Sequence, residues 1–101
     1  MRLLPVFALV VTSFAAVPVF ADQNAECEMQ ARIVTRATEL RLERKSEKKA
    51  VETMMSGQDP DVAEKYIAAV PAIADWVYNG LKRKQLKMDP GAAYFQSCMS
   101  Q

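Results

Sequence analysis

The chain has 101 residues, enough for one domain, with 13 Lys and Arg against 12 Asp and Glu. This balance argues against a general nucleic-acid-binding protein, because such proteins draw most of their non-specific affinity from excess positive charge. The chain has no histidine, which removes the commonest general base and metal ligand and excludes catalytic pairs of a nucleophile with histidine.

The first 21 residues are predicted to be a secretory signal peptide. Arg2 supplies the positive start, a long apolar stretch follows, and Val19-Phe20-Ala21 fits a signal peptidase site. We expect cleavage before Asp22 and a periplasmic or secreted mature protein. The alternative is an uncleaved membrane anchor, since the apolar run is close to the roughly 20 residues that span a bilayer. Arg2 is the only charged residue removed, so the mature domain is formally neutral.

The two cysteines, Cys27 and Cys98, lie near the two ends of the predicted mature domain, residues 22–101. Export favours oxidation, and a domain of about 80 residues is marginal on its hydrophobic core alone. Closing so long a loop stabilises a fold by roughly 4 kcal/mol in the chain-entropy model. We therefore predict a Cys27–Cys98 disulfide. A free redox pair or a metal-binding thiolate pair is the alternative, although no Cys-x-x-Cys spacing supports either.

Apolar residues recur at three- and four-residue steps in the first part of the domain, which predicts a helix from about Asn24 to Arg44. Ser46 followed by Glu47 is typical of a helix N-cap with an acid in the first turn. A second short apolar face then ends at Gly57, a typical C-terminal stop. The pattern leaves open whether residues 24–56 form one kinked helix or two.

Two Asp-Pro pairs, Asp59-Pro60 and Asp89-Pro90, each predict a helix start with an aspartate cap and a proline in the first turn. Pro71 interrupts the pattern between them, and the helix beginning there is expected to end at Asn79-Gly80. Trp76 lies at helical spacing with apolar neighbours and is expected in the core, the alternative being an exposed interface anchor. The sequence predicts an all-α domain, a small bundle of four to five short helices closed by the disulfide.

Three segments carry a resemblance to known proteins: Cys27-Glu28 at the head of a long helix, Tyr66-Ile67-Ala68-Ala69-Val70-Pro71 in mid-chain, and Ala93-Tyr94-Phe95-Gln96-Ser97-Cys98 near the end. The layout also includes Ala31, Arg36, Arg41 and Ser46. In this layout the chain resembles small exported, helical two-cysteine proteins of unknown function in Gram-negative bacteria. The resemblance implies an exported helical domain and brings no assigned activity.

Two groups of basic residues are the candidate binding residues. The first is a basic run that begins at Arg41 and has Glu43 and Glu47 interspersed. Its candidate contacts, called here the first basic cluster, are Arg44, Lys45, Lys48 and Lys49. The second basic cluster has no acid among its members, which are Lys82, Arg83, Lys84 and Lys87. Each cluster is either a solvated helix surface or a contact for an anionic partner, such as lipid phosphates or an acidic protein surface. The second is the better candidate, because nothing nearby in sequence neutralises it.

We predict no catalytic, cofactor-binding or metal-binding residue. Asp59, Asp61 and Glu64 are explained as acids at a helix N-terminus, and they lack the ligand count of a calcium loop. The chain has six methionines, none in the Met-x-Met or Met-x-x-Met spacings suited to copper.

The expected function is that of a non-enzymatic periplasmic interaction protein, a small binder, inhibitor or chaperone-like factor acting by protein contact. One alternative is an immunity or inhibitor protein that blocks an exported hydrolase. Another is an envelope-associated protein that contacts anionic lipid through the second basic cluster. The expected partner is a periplasmic or envelope protein rather than nucleic acid, with at most weak contact to anionic lipid. The sequence leaves the oligomeric state open.

Overall fold

The computed structural model describes residues 19–101, with side chains from Asp22 onward, and all regular structure in this range is helical. Most of the predicted signal peptide, residues 1–18, lies outside the described residues. The predicted all-α fold is confirmed. The α-helices are α1 (Val19–Leu42), α2 (Glu47–Met54), α3 (Val70–Asp75, continued by a π-helical turn, Trp76–Gly80) and α4 (Pro90–Met99). Two 3₁₀ helices complete the bundle, the first at Glu64–Ala69 and the second at Arg83–Met88.

Helix α1 ends at Leu42 and α2 begins at Glu47, so the question of one helix or two is answered in favour of two. Arg44 takes up a left-handed conformation with φ of 67°. The Lys45 N–H donates to the Leu40 carbonyl at 2.9 Å and the Arg44 N–H to the Arg41 carbonyl at 2.9 Å. This pair of bonds is the Schellman ending of a helix, here built on arginine instead of the usual glycine.

Helix α2 begins as its cap residue predicts. The Ser46 hydroxyl accepts a hydrogen bond from the Lys49 N–H at 3.1 Å, and Glu47 lies in the first turn. The helix ends at Met54, and Gly57 follows with φ of 84°, a conformation that favours glycine. The predicted stop is therefore confirmed, with the last helical residue slightly earlier.

The predicted helix start at Asp59-Pro60 is wrong. Asp59 Oδ1 accepts from the Asp61 N–H at 3.0 Å, which makes a local turn, and Asp59 Oδ2 accepts from Arg36 Nε at 2.9 Å. Because the ion pair with Arg36 holds the carboxylate, Asp59 links this segment to α1 and does not cap a helix. The next helix begins at Glu64, after Ala63 without a side-chain cap.

The second Asp-Pro pair behaves as predicted. Asp89 is the N-cap of α4 and accepts from the Ala92 N–H at 3.1 Å, with Pro90 at the first helical position. Gly91 then lies against α1. A Cβ at this position would overlap Thr35 Oγ1 and lie 3.1 Å from the Ala31 carbonyl. Only glycine allows the two helices to approach this closely.

Packing of α4 on α1 joins the two ends of the described chain. Cys27 and Cys98 form the predicted disulfide, with a Cα–Cα distance of 5.7 Å. The Gln23 side-chain amide donates to the carbonyls of Cys98, Met99 and Gln101 at 3.2, 3.3 and 3.4 Å, which caps the end of α4. The hydrophobic core lies between α1 and the shorter elements. Its fully buried large members are Ile33, Val34, Met54, Val70 and Val77.

Candidate interaction surface

The first basic cluster lies at the turn between α1 and α2. Arg44 and Lys45 are in the turn, and all four members of the cluster are exposed. The Tyr78 hydroxyl donates to the Lys45 carbonyl at 2.8 Å and fixes this turn against the end of α3. Burial raises the pKa of the Tyr78 hydroxyl, Glu47 and Glu43 add to this effect, and Arg41 opposes it.

Arg41 has a structural role that separates it from the neighbouring cations. Its guanidinium Nη1 donates to the carbonyls of Val77 at 2.6 Å and Leu81 at 2.8 Å. These carbonyls lie at the C-terminal end of the π-helical turn and would otherwise lack an intrahelical partner. Because Leu81 immediately precedes Lys82, this contact places the start of the second basic cluster beside the end of α1.

The second basic cluster lies on and just before the second 3₁₀ helix, which the sequence analysis did not predict. The Lys82 N–H donates to Gln85 Oε1 at 2.6 Å, so Gln85 caps the helix start. Residues three apart share a face of a 3₁₀ helix. Leu86 is buried, and Gln85 and Met88 form one face. Lys84 and Lys87 form the adjacent exposed face.

None of the candidate cations forms an ion pair within the described residues. The ion pairs found there join Arg36 to Asp59 and Glu39, and Lys65 to Glu26. Both clusters therefore keep their charges available to a partner. The residues concerned are Arg44, Lys45, Lys48, Lys49, Lys82, Arg83, Lys84 and Lys87.

The prediction that Trp76 lies in the core is wrong, because 38% of its surface is exposed. The buried face of the α3 segment is formed by Val70, Ala74 and Val77. Trp76 immediately precedes Val77, so its side chain lies beside this face and not on it. The indole packs against the Tyr94 ring, with 6.4 Å between ring centroids and 53° between planes.

Two adjoining grooves share Trp76. The Tyr94 groove has a volume of about 240 Å³ and is lined by Ala72, Ile73, Trp76 and Tyr94. The Met88 groove has a volume of about 290 Å³ and is lined by Trp76, Leu81, Gln85, Met88, Pro90 and Ala93. Met88 is the most exposed large apolar side chain among the described residues, at 71%. Because Gln85 and Met88 line the Met88 groove, this groove lies next to the helix face that carries Lys84 and Lys87.

A chain of hydrogen bonds fixes the wall of the Tyr94 groove. The Tyr94 hydroxyl donates to Gln30 Oε1 at 2.6 Å, and Gln30 Nε2 donates to the Tyr66 hydroxyl at 3.0 Å. The Tyr66 hydroxyl in turn donates to Glu26, which also accepts from Lys65 Nζ at 2.8 Å. The bonds from Lys65 and Tyr66 lower the pKa of Glu26 below its ordinary value. Trp76 thus packs on an aromatic ring whose position is set by α1.

The grooves were missed by the sequence analysis because they form only where three separate segments meet. Trp76 comes from the end of α3, Met88 from the second 3₁₀ helix and Ala93 from α4. The available signal was local: Met88 lies three residues after Gln85 and directly after Lys87. That spacing is informative only once the segment is known to be a 3₁₀ helix.

Comparisons of the chain with protein-family models, curated proteins and solved structures find no match. The resemblance to exported two-cysteine proteins therefore stays a prediction. Within residues 19–101, no helix combines the length and apolar character needed to cross a bilayer. Within the same range, no three Asp, Glu, Cys or His side chains are grouped so that they could hold a metal ion.

Proposed function

We propose that this protein is a non-enzymatic interaction protein that acts outside the cytoplasm by contact with another protein. The observation that carries the proposal is the exposure of Trp76 between two apolar grooves, beside cations that have no ionic partner within residues 19–101. Tryptophan is among the residues that most often contribute the main part of the binding energy at protein interfaces, and an aromatic neighbour such as Tyr94 adds rigid contact area.

Each groove has the size of a pocket for an inserted side chain. The two grooves here have about 240 and 290 Å³ each. Such volumes suit one or two protruding side chains of a partner.

The disulfide supports the proposed compartment. Disulfides such as Cys27–Cys98 form and persist in the periplasm and other oxidising environments and are rare in the cytosol. Together with the predicted signal peptide, this supports export with cleavage before Asp22. Mass spectrometry of protein from the periplasmic fraction should give a chain that starts at Asp22, two hydrogens lighter than the dithiol form.

Site-specific photo-crosslinking tests the proposed mode of action. A photoreactive phenylalanine analogue replaces Met88 in the full precursor expressed in its native host. The same replacement at Glu52, an exposed position on α2, is the matched control. We expect one discrete crosslinked protein from position 88 and none from position 52. Equal, diffuse crosslinking from both positions would contradict a specific protein partner.

A further inference from the structure

We infer that the grooves on either side of Trp76 bind an acidic segment of a partner protein, with apolar side chains of that segment seated in the Tyr94 and Met88 grooves. This inference rests on the proposed function and adds the chemistry of the partner. It follows from three features: the shared wall of the grooves, the arrangement of charge along one of them, and their concave shape.

The shared wall makes the two grooves one binding site. Trp76 lines both grooves, so a side chain in either one contacts the same indole. Tyr94 supports the indole from one side, and Gly80 lies so close to it that a Cβ there would be 2.9 Å from Trp76 Cδ1. The indole is therefore held in place before a partner arrives, which reduces the entropy lost on binding.

The charge along the Met88 groove selects an acidic partner. Gln85 and Met88 line the groove, and Lys84 and Lys87 form the neighbouring face of the same helix. Among the acids next to the lining residues is Asp89, whose carboxylate accepts from the Ala92 N–H at the start of α4. Each lysine is the sequence neighbour of a residue that lines the groove, and charges interact over roughly 8–10 Å at physiological salt. Because these lysines have no ionic partner among the described residues, carboxylates of the segment would bind and a basic segment would be repelled.

The concave shape favours a protein segment over a lipid surface. Membrane-surface proteins insert protruding apolar side chains between lipids. Here Trp76 packs against Tyr94 and lines both grooves, and Met88 is the only strongly exposed large apolar side chain among the described residues. The Tyr94 groove, of about 240 Å³, accepts an isoleucine, leucine or phenylalanine side chain of such a segment.

The test uses the fluorescence of Trp76, which is the only tryptophan in the chain. The probe is a synthetic peptide of roughly a dozen residues that combines glutamates with leucine and phenylalanine. Control peptides replace every glutamate by lysine, or every apolar residue by serine. We expect the acidic apolar peptide to shift the emission of Trp76 to the blue with saturation, and both control peptides to leave it unchanged.

Two charge-reversal variants locate the site. Lys84→Glu/Lys87→Glu should weaken binding of the acidic peptide roughly tenfold or more, because two attractive charges become repulsive. Lys48→Glu/Lys49→Glu carries the same charge change on α2 and should bind the peptide nearly as the native protein does. Met88→Ser should weaken binding with no change of charge. All these positions are exposed, so each variant is expected to fold, which circular dichroism checks.

Three results would overturn the inference. These are equal weakening by both charge-reversal variants, no response to the acidic peptide, or a blue shift produced by phosphatidylglycerol vesicles and not by the peptide. If the crosslink from position 88 captures a discrete protein while the peptide fails to bind, the proposed function stands and the acidic segment is wrong. If position 88 gives no crosslinked protein, the proposed function is contradicted as well.

Discussion

Arg36 on α1 donates through Nε to the carboxylate of Asp59 at 2.9 Å, and the Asp59 side chain is only 4% exposed. This ion pair ties the segment between α2 and the first 3₁₀ helix to the long helix. The Asp59 carboxylate raises the pKa of the Arg36 guanidinium, which keeps Arg36 protonated. A buried carboxylate with one cationic partner is costly to leave unpaired.

Asp59→Ala is expected to destabilise the fold by about 2–3 kcal/mol, because it removes the local turn and leaves the partly buried Arg36 with Glu39 as its remaining ionic partner among the described residues. Asp61→Ala, at an exposed neighbouring position, is the control and should change stability by less than about 0.5 kcal/mol. Urea denaturation of both variants measures the difference. Equal stability of the two variants would show that the ion pair contributes nothing.

Arg44→Gly is expected to stabilise the fold by about 1 kcal/mol. Arg44 has φ of 67°, a conformation that is strained for a residue with a Cβ and free of strain for glycine. Arg44→Ala removes the same side chain and charge but keeps the Cβ, so it should give no such gain. Thermal unfolding of the two variants separates backbone strain from the effect of charge. A higher melting temperature for both variants would assign the gain to lost charge repulsion.

Gly91→Ala is expected to destabilise the fold by roughly 1–3 kcal/mol, because its Cβ would overlap Thr35 where α4 packs on α1. The double variant Thr35→Ala/Gly91→Ala should recover part of the loss, since it removes the overlapping hydroxyl. A double-mutant cycle from chemical denaturation gives the coupling between the two positions. Simple additivity of the two single effects would contradict the close contact.

Stability should fall in acid partly through Glu26. Its pKa is lowered in the folded protein by the bonds from Lys65 and Tyr66, so the unfolded chain binds its proton more readily. The contribution of Glu26 to stability is complete above its ordinary pKa of 4.5 and is lost as the pH falls through its lower pKa in the folded protein. Comparing denaturation midpoints at about pH 6 and about pH 3, Glu26→Gln should lose less stability than the native protein.

Glu52→Gln is the control for the acid prediction, since Glu52 is exposed on α2 and lies outside the ion pairs of the described residues. It should follow the native pH dependence. If Glu26→Gln does the same, the hydrogen bonds of Glu26 do not contribute to acid sensitivity.

Features set by local chemistry could be predicted from the sequence. Ser46 and Asp89 cap helices because their side chains reach N–H groups three residues away. Gly80 ends its helix, and the pairing of Cys27 with Cys98 follows from there being only two cysteines in the chain. In each helix cap the interacting groups are close in sequence, and for the disulfide no other pairing within the chain exists.

Features set by distant residues could not be predicted in this way. Asp59-Pro60 has the same local pattern as Asp89-Pro90, but its carboxylate is held by Arg36 from another helix. Trp76 is exposed because the stripe beside it fills the core, which depends on how α3 is rotated against α1. The same limit applies to the candidate site. The second basic cluster could be found from the run of basic residues in the sequence, whereas the grooves beside it could not, because their walls come from separate segments.

The amide of Gln23 reaches the carbonyl of Gln101, so both ends of the described fold meet at one point. A short linker could join them into a ring, and the ring could be reopened at the exposed turn around Gly57. Such a circularly permuted chain would retain the cross-linked helix pair while carrying its new termini on a different part of the bundle.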